Sequence, residues 1–216
     1  MDGTFVDGTF VDSLASLLAF FAAGLLFAVS MTVTPGPNNL MLLLSSIRFG
    51  PRRTVPHALG IIIGVPFMLL SIGFGLGQIF LLYPALHLMI KIIGAAYLLY
   101  LAWKMAFAPI QSSNSRAPSP MTFMQSALFQ WVNPKAWVMV IGAVGTFTSL
   151  GDAIFIEIAV LAIAFMLAAV VSTSVWICFG EVLGRLLNNP QQRRWFNGLM
   201  GLLLVATVLP MLSSSL

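Results

Sequence analysis

Apolar residues gather into six long runs, Ser13–Thr34, Thr54–Phe80, Tyr83–Phe107, Met121–Leu150, Asp152–Gly180 and Arg194–Leu212. A shorter apolar piece, Leu40–Ile47, is attached to the first. Each long run approaches or exceeds the roughly 20 residues that carry an α-helix across a bilayer. The pattern therefore predicts six transmembrane helices. The clearest polar interval, Pro109 to Pro120, is rich in Ser, Asn and Pro and divides the chain nearly in half. The expected organisation is one transmembrane domain: a flexible N-terminal tail over 1–12, a first three-helix repeat over 13–108, a cytoplasmic linker over 109–120 and a second three-helix repeat over 121–216. Gly-Thr-Phe-Val-Asp occurs twice between Gly3 and Asp12, which reads as a short tandem duplication on the tail.

Composition turns this pattern into a class. Hydrophobic residues make up 59% of the chain and charged residues 7%, where a soluble domain carries about 25% charged residues. Mean hydropathy is +1.00. So few charges cannot clothe a water-facing surface, so lipid is the expected solvent. Six spans leave no room for a sizeable extramembrane catalytic or nucleic-acid-binding domain. Cys178 is the one cysteine, which excludes an intrachain disulfide and a thiolate metal cage. In its apolar run it is expected to be a buried structural thiol.

The net charge of +4 is informative through its placement. Arg48, Arg52 and Arg53 follow the first run, Lys104 and Arg116 flank or occupy the linker, and Arg185, Arg193 and Arg194 precede the last run. The alternate connections, near Tyr83-Pro84 and Gly151-Asp152, hold no basic residue. Basic residues accumulate on the cytoplasmic side, so both termini are expected outside. The N-terminal stretch holds Asp2, Asp7 and Asp12 and no Lys or Arg, so the first run is expected to be retained as a helix rather than cleaved.

Three spans on each side of the linker place the halves upside down relative to each other. The first span of each half carries a proline break, Thr34-Pro35-Gly36-Pro37-Asn38-Asn39 in one and Asn133-Pro134-Lys135 in the other. The fold class expected is all-α membrane protein, with two inverted three-helix repeats whose first helix is broken at a Pro motif. Paired broken helices in an inverted repeat point to a secondary transporter. Pro35 and Pro37 remove backbone donors, and Gly36 is expected to permit a conformation a helix would not hold. Pro37 suits the first position of a new half-helix, and Asn133 can cap another beginning at Pro134. The two helix N-termini, with their unpaired N–H groups, would then form a site suited to a carboxylate. Asn38 and Asn39 add amides beside it, and Ser126, Gln130 and Asn133 recur at helical spacing on one face.

These blocks carry a family resemblance. Thr34-Pro35-Gly36-Pro37-Asn38-Asn39, followed by Phe49-Gly50-Pro51-Arg52-Arg53-Thr54-Val55-Pro56-His57-Ala58-Leu59-Gly60, resembles the signature of the lysine exporter (LysE/RhtB) family. Gly94-Ala95-Ala96-Tyr97-Leu98 and Phe129-Gln130-Trp131-Val132-Asn133-Pro134-Lys135 are similar to its later blocks. The resemblance covers about Ala15 to Ser213, and within the family is greatest to the branch exporting cysteine and O-acetylserine. It implies an exporter of amino acids or their derivatives in the bacterial inner membrane, coupled to the proton gradient by antiport; in that membrane the termini that the charge placement puts outside are periplasmic. The substrate-binding residues expected are Thr34, Pro35, Gly36, Pro37, Asn38, Asn39, Gln130, Asn133, Pro134 and Lys135.

The acidic residues narrow the substrate. The six are Asp2, Asp7, Asp12, Asp152, Glu157 and Glu181, and none falls at the centre of a run. An exporter of Lys or Arg should offer a carboxylate to the substrate's side chain, and a divalent-metal transporter several oxygen ligands. Small neutral zwitterions, of the cysteine, O-acetylserine, threonine or homoserine kind, are the expected cargo. A basic amino-acid exporter of the same family is the alternative, and a non-coupled channel or intramembrane enzyme lies further off. No G-x-S-x-G, no H-E-x-x-H and no paired membrane-centred acids occur, so no catalytic residue, metal site or cofactor is expected and the chain is read as no enzyme.

Proton-coupling candidates are His57, Lys91, Glu157 and Glu181. Glu157 lies about 8 Å in from Asp152 at 1.5 Å per residue, and His87 and Lys91 are one helical turn apart. Snorkelling or capping is the competing role for each. Gly60 and Gly64, then Gly73 and Gly77, form two G-x-x-x-G patterns for close helix packing, against a neighbour in this chain or in the second protomer of a homodimer. The expected partners are an amino-acid substrate, protons and membrane lipid, with no nucleic acid.

Overall fold

A computed structural model describes the backbone of residues 4–76, 82–107, 119–149, 151, 153–187 and 189–208. The side chains of 4–11 and of Pro84, Leu86, His87 and Lys91 lie outside the described residues, as do Gly77, Asp152 and most of the linker. Proline sets where helices begin. Pro37, Pro51, Pro84, Pro134 and Pro190 each stand at the start of a helix, where a missing N–H costs nothing. Pro56 and Pro66, by contrast, lie inside a helix that continues through them.

In chain order the helices are α1 (Thr4–Val33), α2 (Pro37–Phe49), α3 (Pro51–Ser71), α4 (Pro84–Ala106), α5 (Phe123–Phe129), α6 (Pro134–Phe147), α7 (Ile154–Leu186) and α8 (Pro190–Ala206). A π-helical turn, Ile72–Leu76, extends α3 and is kinked at Gly75, φ 121°, and a 3-10 turn, Gln130–Val132, separates α5 from α6. No strand occurs among the described residues. Thr122 and Asn189 close capping boxes with Gln125 and Gln192 at the starts of α5 and α8. Gly50 joins α2 to α3 at φ 79°, a conformation that favours glycine.

Among the described residues four stretches are long and apolar enough to cross a membrane: Asp12–Val33, Pro51–Leu76, Leu88–Ala106 and Ile154–Leu186. The chain is a multi-pass membrane protein, all-helical among the described residues. Two of the six predicted runs differ in form. Met121–Leu150 is divided between α5, the 3-10 turn and the shorter apolar α6, because Asn133 and Pro134 start a new helix. The last helix opens with a polar turn, Gln191 to Arg194. At the other end α1 is already helical from Thr4, within the stretch expected to be a flexible tail. No proline interrupts Thr4 to Val33, and a nucleated helix gains one hydrogen bond per added residue.

Helix α2 lies between two cores. Leu42 joins a cluster built from α1, α3, α6 and α7, including Val65, Met68, Val140, Leu161 and Phe165. Leu40, Met41, Leu43 and Leu44 join a second cluster with Leu98 and Ala102 of α4 and Met200 and Leu204 of α8. In lipid such contacts are held by close packing rather than by escape from water. Glycine supplies the closeness. A Cβ on Gly60 would strike the Phe123 carbonyl, and one on Gly64 would lie 3.0 Å from Ala127 Cα. The first G-x-x-x-G pattern thus seats α3 on α5 within this chain. In the second pattern, a Cβ on Gly73 would meet Ile158 at 2.9 Å, and Gly77 lies outside the described residues. Cys178 is exposed, contrary to its expected burial, because an apolar run in a membrane protein has a face turned to lipid.

Candidate functional site

The two proline breaks meet. After α1 ends at Val33, Thr34 to Gly36 run non-helically into α2, and Leu40 N–H donates to Gly36 O at 3.0 Å. In the other half, Asn133 Oδ1 accepts from Lys135 N–H at 3.2 Å and caps α6. The side-chain amides of Asn38 and Gln130 pair reciprocally across the gap, at 2.8 and 3.2 Å. Lys135 Nζ crosses it as well, donating to Thr34 O and Thr34 Oγ1, each at 2.7 Å. Gly36 is fully extended at φ −177°, which any residue adopts, so its backbone freedom is not what the break uses. Space is: a Cβ there would lie 2.7 Å from Lys135 Cδ.

The carbonyls at the end of α1 lack intrahelical donors, as at any helix C-terminus. Side chains from other elements supply them. Asn39 donates to Thr32 O at 2.7 Å and Thr34 O at 2.9 Å. Ser172 donates to Thr32 O at 2.8 Å, and the Trp176 indole to Val33 O at 3.0 Å. The ammonium of Lys135 completes the set at the negative end of the α1 dipole.

Between the breaks lies a cavity of about 20 Å³, whose polar lining includes Asn38, Asn39, Asn133, Lys135, Ser172 and Thr173. Ile61, Val65 and Met139 form its apolar wall. That volume accepts one water, which needs about 10–15 Å³ on this measure, and not an amino acid. The two breaks, bridged in this way, leave no room for cargo. Among the described residues no carboxylate lines the cavity, and the one charged side chain that does is Lys135.

A family model described as LysE type translocator matches residues 29–214, a span that contains both breaks and the cavity. The chain belongs to the LysE family. The description of the family model that this LysE-family chain matches is that of a translocator. A cysteine/O-acetylserine efflux protein of Salmonella typhimurium is 34% identical over 122 residues, covering 56% of this chain and 62% of that protein. The match thus spans less than two thirds of that relative's length. A protein of the same description from Escherichia coli K12 is 30% identical over 180 residues, covering 83% of this chain and 90% of the relative. An uncharacterized membrane protein, YrhP, of Bacillus subtilis is 27% identical over 203 residues, covering 88% and 95%. No solved structure matches the chain significantly.

In this LysE-family chain the predicted binding residues Thr34 to Asn39, Gln130 and Asn133 to Lys135 lie together. Their chemistry differs from one to the next. Asn38, Gln130 and Lys135 bridge the two breaks, Asn133 caps α6, and Asn39 is committed to the end of α1. Pro35 and Pro37 shape the chain without donors, and Pro134 opens α6. The coupling candidates are scattered. Glu157 accepts from Ser149 N–H at 2.7 Å and Ser149 Oγ at 3.0 Å, closing the turn between α6 and α7. Glu181 pairs with Arg185 one turn along α7. His57 is fully buried in α3, and the side chain of Lys91 lies outside the described residues.

The motif reading misses Ser172 and Thr173, which line the cavity, and Trp176, which donates to Val33 O beside it. The signal available is a hydroxyl pair, Ser172-Thr173, at the middle of the apolar 33-residue helix α7, with Trp176 one turn from Ser172.

Proposed function

We propose that this chain is a secondary transporter that exports small neutral amino acids or their derivatives from the cytoplasm by proton antiport. In this reading it sits in a bacterial inner membrane as two inverted three-helix repeats, with both termini periplasmic. The observation that carries it is the cavity where the two breaks meet, with one ammonium, several amides and carbonyls, and no carboxylate. A zwitterion matches that set. Its carboxylate pairs with Lys135, and its ammonium takes over the α1 carbonyls that Lys135 now holds, so one cation replaces another at Thr34 O. A cationic side chain would find no counter-charge there. The efflux of cysteine and O-acetylserine in the names of the relatives supports the same cargo class.

The binding residues of the reading are Asn38, Asn39, Gln130, Asn133 and Lys135, framed by Thr34, Pro35, Gly36, Pro37 and Pro134. The cavity must widen to admit cargo, and separation of the two breaks at the Asn38–Gln130 and Lys135–Thr34 bridges is the motion that does so.

The test is efflux from cells overproducing the protein and loaded separately with cysteine, O-acetylserine, threonine, leucine or lysine, with and without an uncoupler. Uncoupler-sensitive export of a neutral substrate but not lysine is expected. Preferential lysine export would overturn the charge argument, and export of none of the five would remove the exporter reading.

A further inference from the structure

Among the described residues, His57 is the buried side chain whose polar atoms have no hydrogen-bond partner. It has no exposed surface, and neither Nδ1 nor Nε2 is bonded. A neutral imidazole has one N–H donor and one lone pair, and enclosing both without partners loses their hydration with nothing in return. A leucine would fill such a site without that loss, so the imidazole calls for a use outside the arrangement seen here.

Its position suggests one. On α3, His57 lies one turn from exposed Arg53 at the basic end and one turn from Ile61, which lines the cavity. Each of those steps is about 6 Å along the helix axis. Buried polar groups continue in both directions. Towards the basic end, Thr54 Oγ1 and Ser45 Oγ share a hydrogen bond of 3.0 Å. Towards the cavity, Ser126 Oγ donates to His57 O at 2.8 Å, Gln130 Nε2 donates to Ser126 O at 2.9 Å, and Gln130 pairs with Asn38.

Among the described residues no fixed charge holds the ring in one protonation state. Of the elements packed on α3, helix α5, the π-helical turn and the 3-10 turn carry no ionisable side chain. Arg48 of α2 donates to Met105 O, and Lys135 of α6 to Thr34. On α7, Glu157 is held by Ser149, and Glu181 and Arg185 pair with each other. Arg52 and Arg53 of α3 itself are exposed.

We propose that His57 carries the coupled proton of this transporter, an inference that rests on the antiporter reading above. In the arrangement seen here the imidazole is neutral and dry, because the ring has no exposed surface and neither nitrogen has a partner. When the halves part towards the periplasm, water reaching past Ile61 gives a proton to the free ring nitrogen, and the ring becomes imidazolium. When they part towards the cytoplasm, that proton leaves to water at the Arg52–Arg53 end, and the neutral ring is restored. One proton moves inward for each turnover of the ring, and substrate moves outward.

The test uses purified protein in liposomes and radiolabelled cysteine kept reduced, with two readouts. One is exchange of cysteine for cysteine, which needs no net proton movement, and the other is accumulation driven by an imposed pH gradient. His57→Gln is expected to keep exchange within about twofold and to lose gradient-driven accumulation by at least about tenfold. His57→Leu, which fills the site without any polar atom, is expected to show the same split and a higher unfolding temperature. Gradient-driven accumulation retained in both variants would overturn the role of His57 and leave the exporter reading intact. Loss of exchange together with accumulation, or failure of both variants to insert, would make His57 a structural residue and overturn it too. Wild-type protein that exchanges cysteine but ignores the pH gradient would overturn the coupling itself. Wild-type protein that moves neither cysteine nor any of the other four amino acids would remove the transport reading on which the inference stands.

Discussion

At the break after α1, four side chains from other elements hold the carbonyls of Thr32, Val33 and Thr34: Asn39, Lys135, Ser172 and Trp176. At the break before α6, the chain largely satisfies itself. Asn133 N–H returns to Gln130 O at 3.3 Å, Asn133 Oδ1 takes the Lys135 amide, and the Trp137 indole donates to Trp131 O at 2.8 Å. A break closed by its own neighbours keeps its shape when the surroundings move. One closed by distant side chains exchanges partners with whatever enters. In the exporter reading the α1 end is therefore the part remade by substrate, and the 3-10 turn with the α6 cap is the fixed edge against which it works.

The sharpest way to break this contrast is Lys135→Met, which keeps a similar apolar stem and removes the ammonium that joins the two sides. Cysteine exchange in liposomes should fall by at least about tenfold, because substrate carboxylate loses its counter-charge. Insertion should persist, since Thr34 O still accepts from Asn39. Lys135→Arg should restore part of the rate, because charge returns without the same reach. Exchange at the wild-type rate in Lys135→Met would make the bridge ornamental and dissolve the distinction between a moving and a fixed break.

Asn39→Ala and Asn133→Ala compare the breaks directly. Losing Asn39 removes two donors from the α1 end and should cost about 1–3 kcal/mol of stability. Losing the α6 cap should cost nearer 1 kcal/mol. Both variants should insert and transport more slowly, Asn39→Ala the more strongly, as measured by exchange rate and by thermal unfolding in detergent. Wild-type efflux from a stably inserted double variant would remove the site from these residues.

What could be read from the sequence follows from how local the chemistry is. The breaks, the half-helices opening at Pro37 and Pro134, the Asn133 cap and the Gly60–Gly64 contact rest on short-range signals that a residue string contains. The partners of the first break do not: Ser172 is 140 residues from Thr32, and only a hydroxyl pair in an apolar helix hints at it. Gly36 was legible as a necessary glycine but for a different reason, since the extended backbone there is ordinary and the clearance for the Lys135 stem is a tertiary fact. His57 reads as one titratable residue among several until the fold encloses it. Cys178 shows the limit from the other side, because an apolar neighbourhood in a membrane chain is compatible with either lipid or protein against the thiol.

Ser172→Ala should have the smallest effect and gives the comparison its finest test. The Thr32 carbonyl keeps Asn39 after this change, so the expected loss is about 0.5–1.5 kcal/mol, with little change in exchange rate. Combined with Asn39→Ala, however, it strips Thr32 O of both donors, and the pair should destabilise by more than the sum of the single variants. Combined with Asn133→Ala, which serves the other break, the two losses should add to within about 0.5 kcal/mol. Thermal unfolding of the three single and two double variants measures both couplings. Equal coupling in the two pairs would mean that the breaks form one network, and neither could then move while the other stays fixed.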